Sequence, residues 1–214
     1  SSQFEEDEIP VKDLFRSYEE MPLLEQKALQ LAEGKILDVG AGSGCHTLAL
    51  RKMGKEALAI DISPWSVKVM EARGLTARQV NLFDERFTER FDTILMLMNG
   101  SGIIGRLERM GDFFRRIRQL LNPGGQILMD SSDLRYLFED EDGSYLVNLA
   151  GNYYGEIDFR MQYKQVKGDS FDWLYVDFDT LSAYAAQCGF RAECIQEGSH
   201  YDYLARLTVT NEAL

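Results

Sequence analysis

The chain has little of what extracellular, metal-bound or nucleic-acid-binding proteins are built from. It carries three cysteines in 214 residues, Cys45, Cys188 and Cys194. None stands in a CxxC pair, so a disulfide framework and a zinc site are both unexpected, and each thiol is expected to be reduced and buried. Basic residues are in the minority, 23 Lys and Arg against 35 Asp and Glu, for a net charge of −12. A field of that sign repels phosphate backbones, which disfavours a nucleic-acid partner and favours a small molecule. No apolar run approaches bilayer-spanning length, and the opening SSQFEEDEIP is acidic where an export signal is basic and then apolar. The expectation is a cytoplasmic protein without membrane contact.

What remains is ordinary globular composition, 45% hydrophobic and 27% charged. The length suits one α/β domain over residues 1–214. One stretch organises it, Lys35 to Leu50, KILDVGAGSGCHTLAL. The short apolar run Ile36 to Val39 suits a strand covered on both faces of a parallel sheet. Gly40, Gly42 and Gly44 then remove side chains where a helix begins, so main-chain N–H groups can approach a ligand. A dinucleotide fingerprint, GxGxxG, requires glycine at position 45, which is Cys45, and no lysine follows as a Walker-type phosphate loop requires. Asp38, two residues before the first glycine, opposes a pyrophosphate and attracts a ligand cation.

This DVGAGSG segment resembles the first motif of the class I S-adenosylmethionine (SAM) dependent methyltransferases, whose ligand carries an amino group and a sulfonium beside an adenosine. AIDISP and LLNPGGQILMD resemble later stretches of the same family. The residues themselves support a βα alternation. Ala57 to Asp61 reads as a second strand, with Ser63-Pro64 opening a helix to about Arg73. Asp61 lies 21 residues after Gly40, at a strand end where a carboxylate can accept both ribose hydroxyls. Thr76 to Val80 gives a third strand, and Phe91 to Met98 a fourth, almost wholly apolar and so central. An amphipathic helix over Leu107 to Leu121 places Phe113, Phe114 and Ile117 inward and Arg115, Arg116 and Arg118 largely outward. Gln126 to Asp130 starts a fifth strand. Phe190 to Gln196 and Tyr203 to Val209 close the chain as a strand pair.

The family resemblance implies a doubly wound, Rossmann-like seven-stranded sheet of order 3-2-1-4-5-7-6 with strand seven antiparallel. It also implies that residues 1–33, a tail and helix, lie over the cofactor, with Tyr18 and Gln26 beside it. Residues 131–178 are too long for a loop and read as a β-hairpin insertion after strand five. They hold an acidic patch, Glu139 to Asp142. Two alternating stretches, Glu156 to Lys164 and Phe171 to Phe178, are separated by Lys167-Gly168-Asp169. The hairpin aromatics either wall a pocket or pack on the sheet.

Ligands of such sheets bind outside the carboxyl ends of the strands. With the family's pattern carried onto those ends, SAM is the expected cofactor, S-adenosylhomocysteine its product. Its candidate site is Asp38, Gly40, Ala41, Gly42, Ser43, Gly44 and His46 at the first end, Asp61 and Ile62 at the second, Asn81, Leu82 and Phe83 at the third, and Met98 and Asn99 at the fourth. Asn99, Ser131, Asp133, His200 and Tyr201 remain for the methyl acceptor. Catalytic candidates are His200, a histidine able to act as base near neutrality, with Asn99 and Tyr201. Asn99-Gly100-Ser101-Gly102 departs from the Asn/Asp-Pro-Pro-aromatic motif of methyltransferases acting on nucleobase amines or amide nitrogens, which argues against those acceptors. Asn99 and Asp130 alone are too few oxygen ligands for magnesium, so no metal is expected. The sequence leaves two alternatives open: a SAM-binding module whose insertion blocks the acceptor pocket, and a nicotinamide-dependent oxidoreductase.

Overall fold

The computed structural model describes residues 8–138 and 152–210. Most of the acidic tail at the start and the patch Glu139 to Asp142 lie outside them. Along the chain run α1 (Leu23–Leu31), β1 (Ile36–Val39), α2 (Cys45–Lys52), β2 (Ala57–Asp61), α3 (Pro64–Ala72), β3 (Ala77–Gln79), β4 (Phe91–Met96), α4 (Met110–Leu120), β5 (Leu121–Ser132), β6 (Glu156–Tyr163), β7 (Val166–Leu174), α5 (Phe178–Gln187), β8 (Phe190–Glu197) and β9 (Asp202–Val209), with short 3-10 turns between.

Period-two alternation decides how the layers stack. Leu37, Val39, Ile94, Met96, Ile127 and Met129 point to one face and pack with Phe113, Phe114 and Ile117 of α4 and Leu181 of α5. Ile36, Leu95, Leu128 and Leu204 point to the other and pack with Leu24, Ala28 and Leu29 of α1 and Ala49 and Leu50 of α2. Fully burying each such side chain contributes about 1.5–3 kcal/mol. The strand order is β3-β2-β1-β4-β5-β9-β8. β1 to β5 are parallel, and β9 runs antiparallel between β5 and β8. This is the expected sheet, because both-face burial and right-handed crossovers leave few alternatives. The insertion forms a separate two-stranded sheet, β6 with β7.

Several sequence-based boundaries move. The hairpin turns at Lys164, which adopts φ +53°, and Lys167-Gly168-Asp169 lies within β7. The helix expected from Leu181 starts at Phe178, because Asp177 caps it by accepting the Thr180 N–H at 2.9 Å. α3 starts as expected, with Ser63 as cap and Pro64 in the first turn. β4 ends at Met96, two residues early, as the chain turns left-handed at Met98 and Asn99.

Arg116 is not outward but buried. Its guanidinium donates to the carbonyls of Leu82 (2.7 Å), Asp84 (2.8 Å) and Phe87. That loop after β3 has no ladder of its own, so its carbonyls need donors, and Arg116 supplies them from α4. Among the described residues no helix is long and apolar enough to cross a membrane.

Candidate active site

At the carboxyl end of β1 the chain makes three left-handed steps, Gly40 (φ +68°), Gly42 (φ +57°) and Gly44 (φ +77°). The Gly40 and Ala41 N–H groups both donate to the Ile60 carbonyl, at 2.9 and 3.1 Å, pinning the loop to β2. The three glycines do different work. A Cβ on Gly44 would lie 2.5 Å from Leu75 Cδ1, so that glycine serves packing, whereas a Cβ on Gly42 would meet open space. Asp61 is held by main-chain donors from both sides, Gly42 N–H to Oδ2 at 2.9 Å and Ser63 N–H to Oδ1 at 2.8 Å. Each carboxylate oxygen has a further lone pair, so the group can still accept two hydroxyls. Ile62 beside it is 70% exposed, an apolar surface next to a fixed carboxylate. Asn81 uses its Oδ1 to accept the Phe83 N–H at 2.9 Å, which shapes the third strand end; Leu82 is buried and Phe83 partly so. These residues fit an adenosine with a ribose diol.

Beneath the loop lies a cluster of buried charge, in which Asp38 and His46 are expected from the sequence and Glu25 and Arg16 are not. Asp38 is buried, accepts the Thr47 hydroxyl at 2.5 Å, and is pushed up by burial. A desolvated carboxylate is the kind of group that an arriving cation restores to its charged form. Next to it, Glu25 takes both His46 Nε2, at 2.7 Å, and the Arg16 guanidinium. Burial works to raise Glu25, but the hydrogen bonds from His46 and Arg16 prevail and hold it low. Burial likewise works to lower His46, and its contacts with Cys45 and Glu25 raise it well above its ordinary value. The available signal was Glu25 itself, a charge on the apolar face of α1 between Leu24 and Ala28.

The segment before α1 closes over this edge. Ser43 Oγ donates to the Leu14 carbonyl, and Arg73 donates to the Ser43 carbonyl at 2.6 Å while its guanidinium lies 5.3 Å from the Phe15 ring centre. Tyr18 and Gln26 turn elsewhere, to Gln30 and to the Met21 carbonyl.

Beyond the fourth and fifth strand ends opens a cavity of about 400 Å³. Its floor is Met98, Asn99, Asp130 and Ser132, with Glu25 and Asp202 at the sides and hairpin aromatics opposite. Met98 (φ +66°) and Asn99 (φ +56°) are consecutive non-glycine residues in the left-handed region, a strained arrangement that the surroundings must hold. Asn99 Oδ1 accepts from Ser132 Oγ at 2.9 Å, and Asp130 Oδ1 accepts the Gly100 N–H at 3.0 Å. Burial pushes Asp130 up to about 6.

The hairpin is anchored where it meets this floor. A Cβ on Gly102 would fall 1.8 Å from Trp173 Cε2, so glycine there is what lets the indole lie down. Ser101 Oγ donates to the Leu174 carbonyl at 2.8 Å, and Arg106 grips Asp172 through two hydrogen bonds of 2.9 and 2.6 Å. Trp173, Phe171 and Phe159 therefore wall the cavity.

Not every residue expected at the acceptor end comes there. His200 is exposed on the β8–β9 turn, its N–H donating to Asp202 Oδ1 at 2.8 Å. Tyr201 adopts φ +59° and stacks on Tyr136, ring centres 4.9 Å apart. The Asp202 contact and the left-handed step turn both side chains away from the floor, and neither lines the cavity. Ser131 bonds Ser101 and the Val176 N–H, and Asp133 takes the Tyr154 hydroxyl, so both serve packing of the insertion. Asn99 lines the cavity as expected of its strand end, and Asp130 lines it beside Asn99.

The sequence matches the family described as "Methyltransferase domain" over residues 37–127. An uncharacterized methyltransferase of Staphylococcus carnosus is 31% identical over 92% of this chain and 87% of its own. The crystal structure of a SAM-dependent methyltransferase from Bacteroides fragilis in complex with S-adenosyl-L-homocysteine is 72% identical, with a TM-score of 0.92, covering 98% of this chain and 85% of that one. The sugar N-methyltransferase KedS8 from Streptoalloteichus shares the fold, at 16% identity and TM-score 0.62 over 94% of this chain and 90% of its own. A glycine edge with a ribose-ready carboxylate, a cavity at the neighbouring strand ends, and these relatives lead to one conclusion: the chain belongs to the class I SAM-dependent methyltransferases and takes its methyl group from S-adenosylmethionine.

Proposed function

We propose that the methyl acceptor is a small molecule bound in the cavity between the β4 and β5 ends and the hairpin, and that Asp130 receives its proton. When bound, SAM supplies a methyl group already activated on a sulfonium, so alignment and proton removal are what the chain contributes. The glycine loop, Asp61, Ile62 and the Asn81 to Phe83 turn hold the adenosine end. Asp38 and the neighbouring edge of the loop face the charged end. Asn99, oriented by Ser132, positions the acceptor, and Asp130 takes the proton.

One observation carries this proposal: a carboxylate pushed up to about 6 by burial stands in the wall of a 400 Å³ cavity, next to backbone strained at Met98 and Asn99. A group with that pKa is ionised at neutral pH yet takes up a proton readily. The size suits a small molecule, and the net charge of −12 disfavours a polyanion. We place the protein in the cytoplasm, where its three free thiols stay reduced.

The test measures S-adenosylhomocysteine release over a panel of small acceptors, with calorimetry of cofactor binding alongside. Turnover that collapses in Asp130→Asn while cofactor affinity holds is the expected result. Full turnover in that variant removes Asp130 from the chemistry. Tight cofactor binding with no release on any acceptor points to a binding module instead.

A further inference from the structure

We infer that the acceptor is an amine carried on an aromatic or otherwise apolar body, so that the product is an N-methylated amine. This rests on the cavity being the acceptor site, and it names the chemistry the cavity selects.

Charge is the first ground. Among the described residues lining the cavity, every ionisable acid or base of ordinary strength is a carboxylate: Glu25, Asp130 and Asp202. They come from three separate elements, α1, β5 and β9. Glu25 is answered by Arg16 and His46. Asp130 and Asp202 are not in an ion pair with any described residue. Their hydrogen-bond donors are main-chain N–H groups, Gly100 to Asp130 at 3.0 Å and His200 to Asp202 at 2.8 Å. Among the described residues no lysine, arginine or histidine lines the space. Arg16 and His46 are taken up by Glu25, so a carboxylate or phosphate acceptor would meet Asp130 and Asp202 with no lining cation to answer it, whereas an ammonium group would find two partners.

The opposite wall is the second ground. Phe171 lies with its ring centre 5.9 Å from Trp173 and 6.1 Å from Phe159, and Trp173 is fixed against Gly102. Phe171 is 40% exposed and Met161 52% exposed, apolar surface that an apolar ligand body would cover. Ring faces also attract a cation, which adds to the pull of the carboxylates. A neutral alcohol of the same shape gains from the rings but not from the charges. It also holds its proton too tightly for a carboxylate to remove.

The step balances without another reactant. The acceptor ammonium passes one proton to the Asp130 carboxylate. The freed nitrogen lone pair forms the N–C bond as the methyl's bond to sulfur breaks, its electron pair staying on sulfur, and the product is a methylated ammonium beside a neutral thioether. Asp202, on the far side, then holds the cationic product until it leaves.

The experiment compares three probes matched in size, phenethylamine, 2-phenylethanol and phenylacetate. Each is titrated by calorimetry into protein saturated with S-adenosylhomocysteine, and product mass is followed with SAM. The expected result is amine binding at least about tenfold tighter than the alcohol, no measurable binding of the acid, and methylated amine as the product. Asp130→Asn and Asp202→Asn should each shrink the preference for the amine by about fivefold or more with S-adenosylhomocysteine affinity unchanged. Two variants are used because Asp202 stands outside the sheet's centre, so one of them reports even if the other is poorly folded. Equal binding of amine and alcohol, preference for the acid, or binding of none of the three overturns the amine assignment. Loss of S-adenosylhomocysteine binding by the wild-type protein would instead strike at the methyltransferase site itself, and the same titration distinguishes the two.

Discussion

Compare the edge formed by Gly40, Gly42, Gly44 and Asp61 with the cavity formed by Asn99, Asp130 and the β6–β7 hairpin. The first is held by main-chain amides: Gly40 and Ala41 on the Ile60 carbonyl, and Gly42 and Ser63 on the Asp61 carboxylate. The second is side chains brought from remote segments, fastened by Arg106 on Asp172 and by the Trp173 indole lying on the bare backbone of Gly102. Their electrostatics differ as well. Glu25, buried below the loop, is answered by two cations, while among the described residues Asp130 is met by a main-chain amide. A ligand that never changes can be met by fixed backbone. An acceptor wall made of side chains can change its preference without disturbing that edge.

Four variants and the pH dependence of the wild type can break or sharpen this division. The largest effect is expected from Asp130→Asn, which should lower turnover by about 10²–10⁴-fold with cofactor affinity intact. In the wild type, turnover should decline as pH falls through about 6, where Asp130 gains its proton. The charges nearest it are Glu25 and His46, with Asp202 across the cavity. The same raised pKa has a stability consequence of known sign. Between 3.8 and about 6 the folded chain keeps a proton that the unfolded chain has released, so this site's contribution falls as pH rises through that window. At pH 7 the asparagine variant should therefore be more stable, by about 1–3 kcal/mol in denaturant titration; a less stable variant would contradict the burial effect.

Gly102→Ala should come next. Its methyl would collide with the Trp173 indole, costing about 1–3 kcal/mol in stability. It should weaken acceptor binding while S-adenosylhomocysteine binding stays within twofold (about 0.4 kcal/mol). Equal loss of both ligands would show that the two regions are coupled. Asp61→Ala is the converse test. Loss of charge-assisted bonds to the ribose should weaken cofactor binding by about 1–3 kcal/mol by calorimetry, leaving the hairpin in place. The smallest effect belongs to His200→Ala, expected to change the activation free energy by less than about 0.5 kcal/mol, because the side chain is exposed and outside the cavity. A large drop would return His200 to the chemistry.

The same contrast explains what could be read from the amino acids alone. The glycine loop, Asp61 and the sheet order were legible because their signals are local: glycine spacing, apolar runs and caps such as Ser63-Pro64. The raised pKa of Asp130, on which the proposed base rests, was not, since it comes from burial by elements far apart in sequence. His200 looked suitable by chemistry, but its position depends on how the four-residue turn 198–201 folds. Lys167-Gly168-Asp169 has turn composition, yet the turn falls at Lys164, where Trp173 and Asp172 are already fixed against Gly102 and Arg106 and set the register. Arg116 obeys its helical period and is nonetheless buried, because loop carbonyls within its reach lacked donors.

Among the described residues most left-handed positions carry glycine, Gly34, Gly54, Gly74 and Gly189 among them, but Met98 and Asn99, like Lys164 and Tyr201, do not. Asn99→Gly would relieve about 1 kcal/mol of conformational strain and leave Ser132 without its amide partner. The strain relieved is offset by the lost hydrogen bond and by the extra chain entropy of glycine, so asparagine here costs little net stability while keeping an amide on the cavity wall.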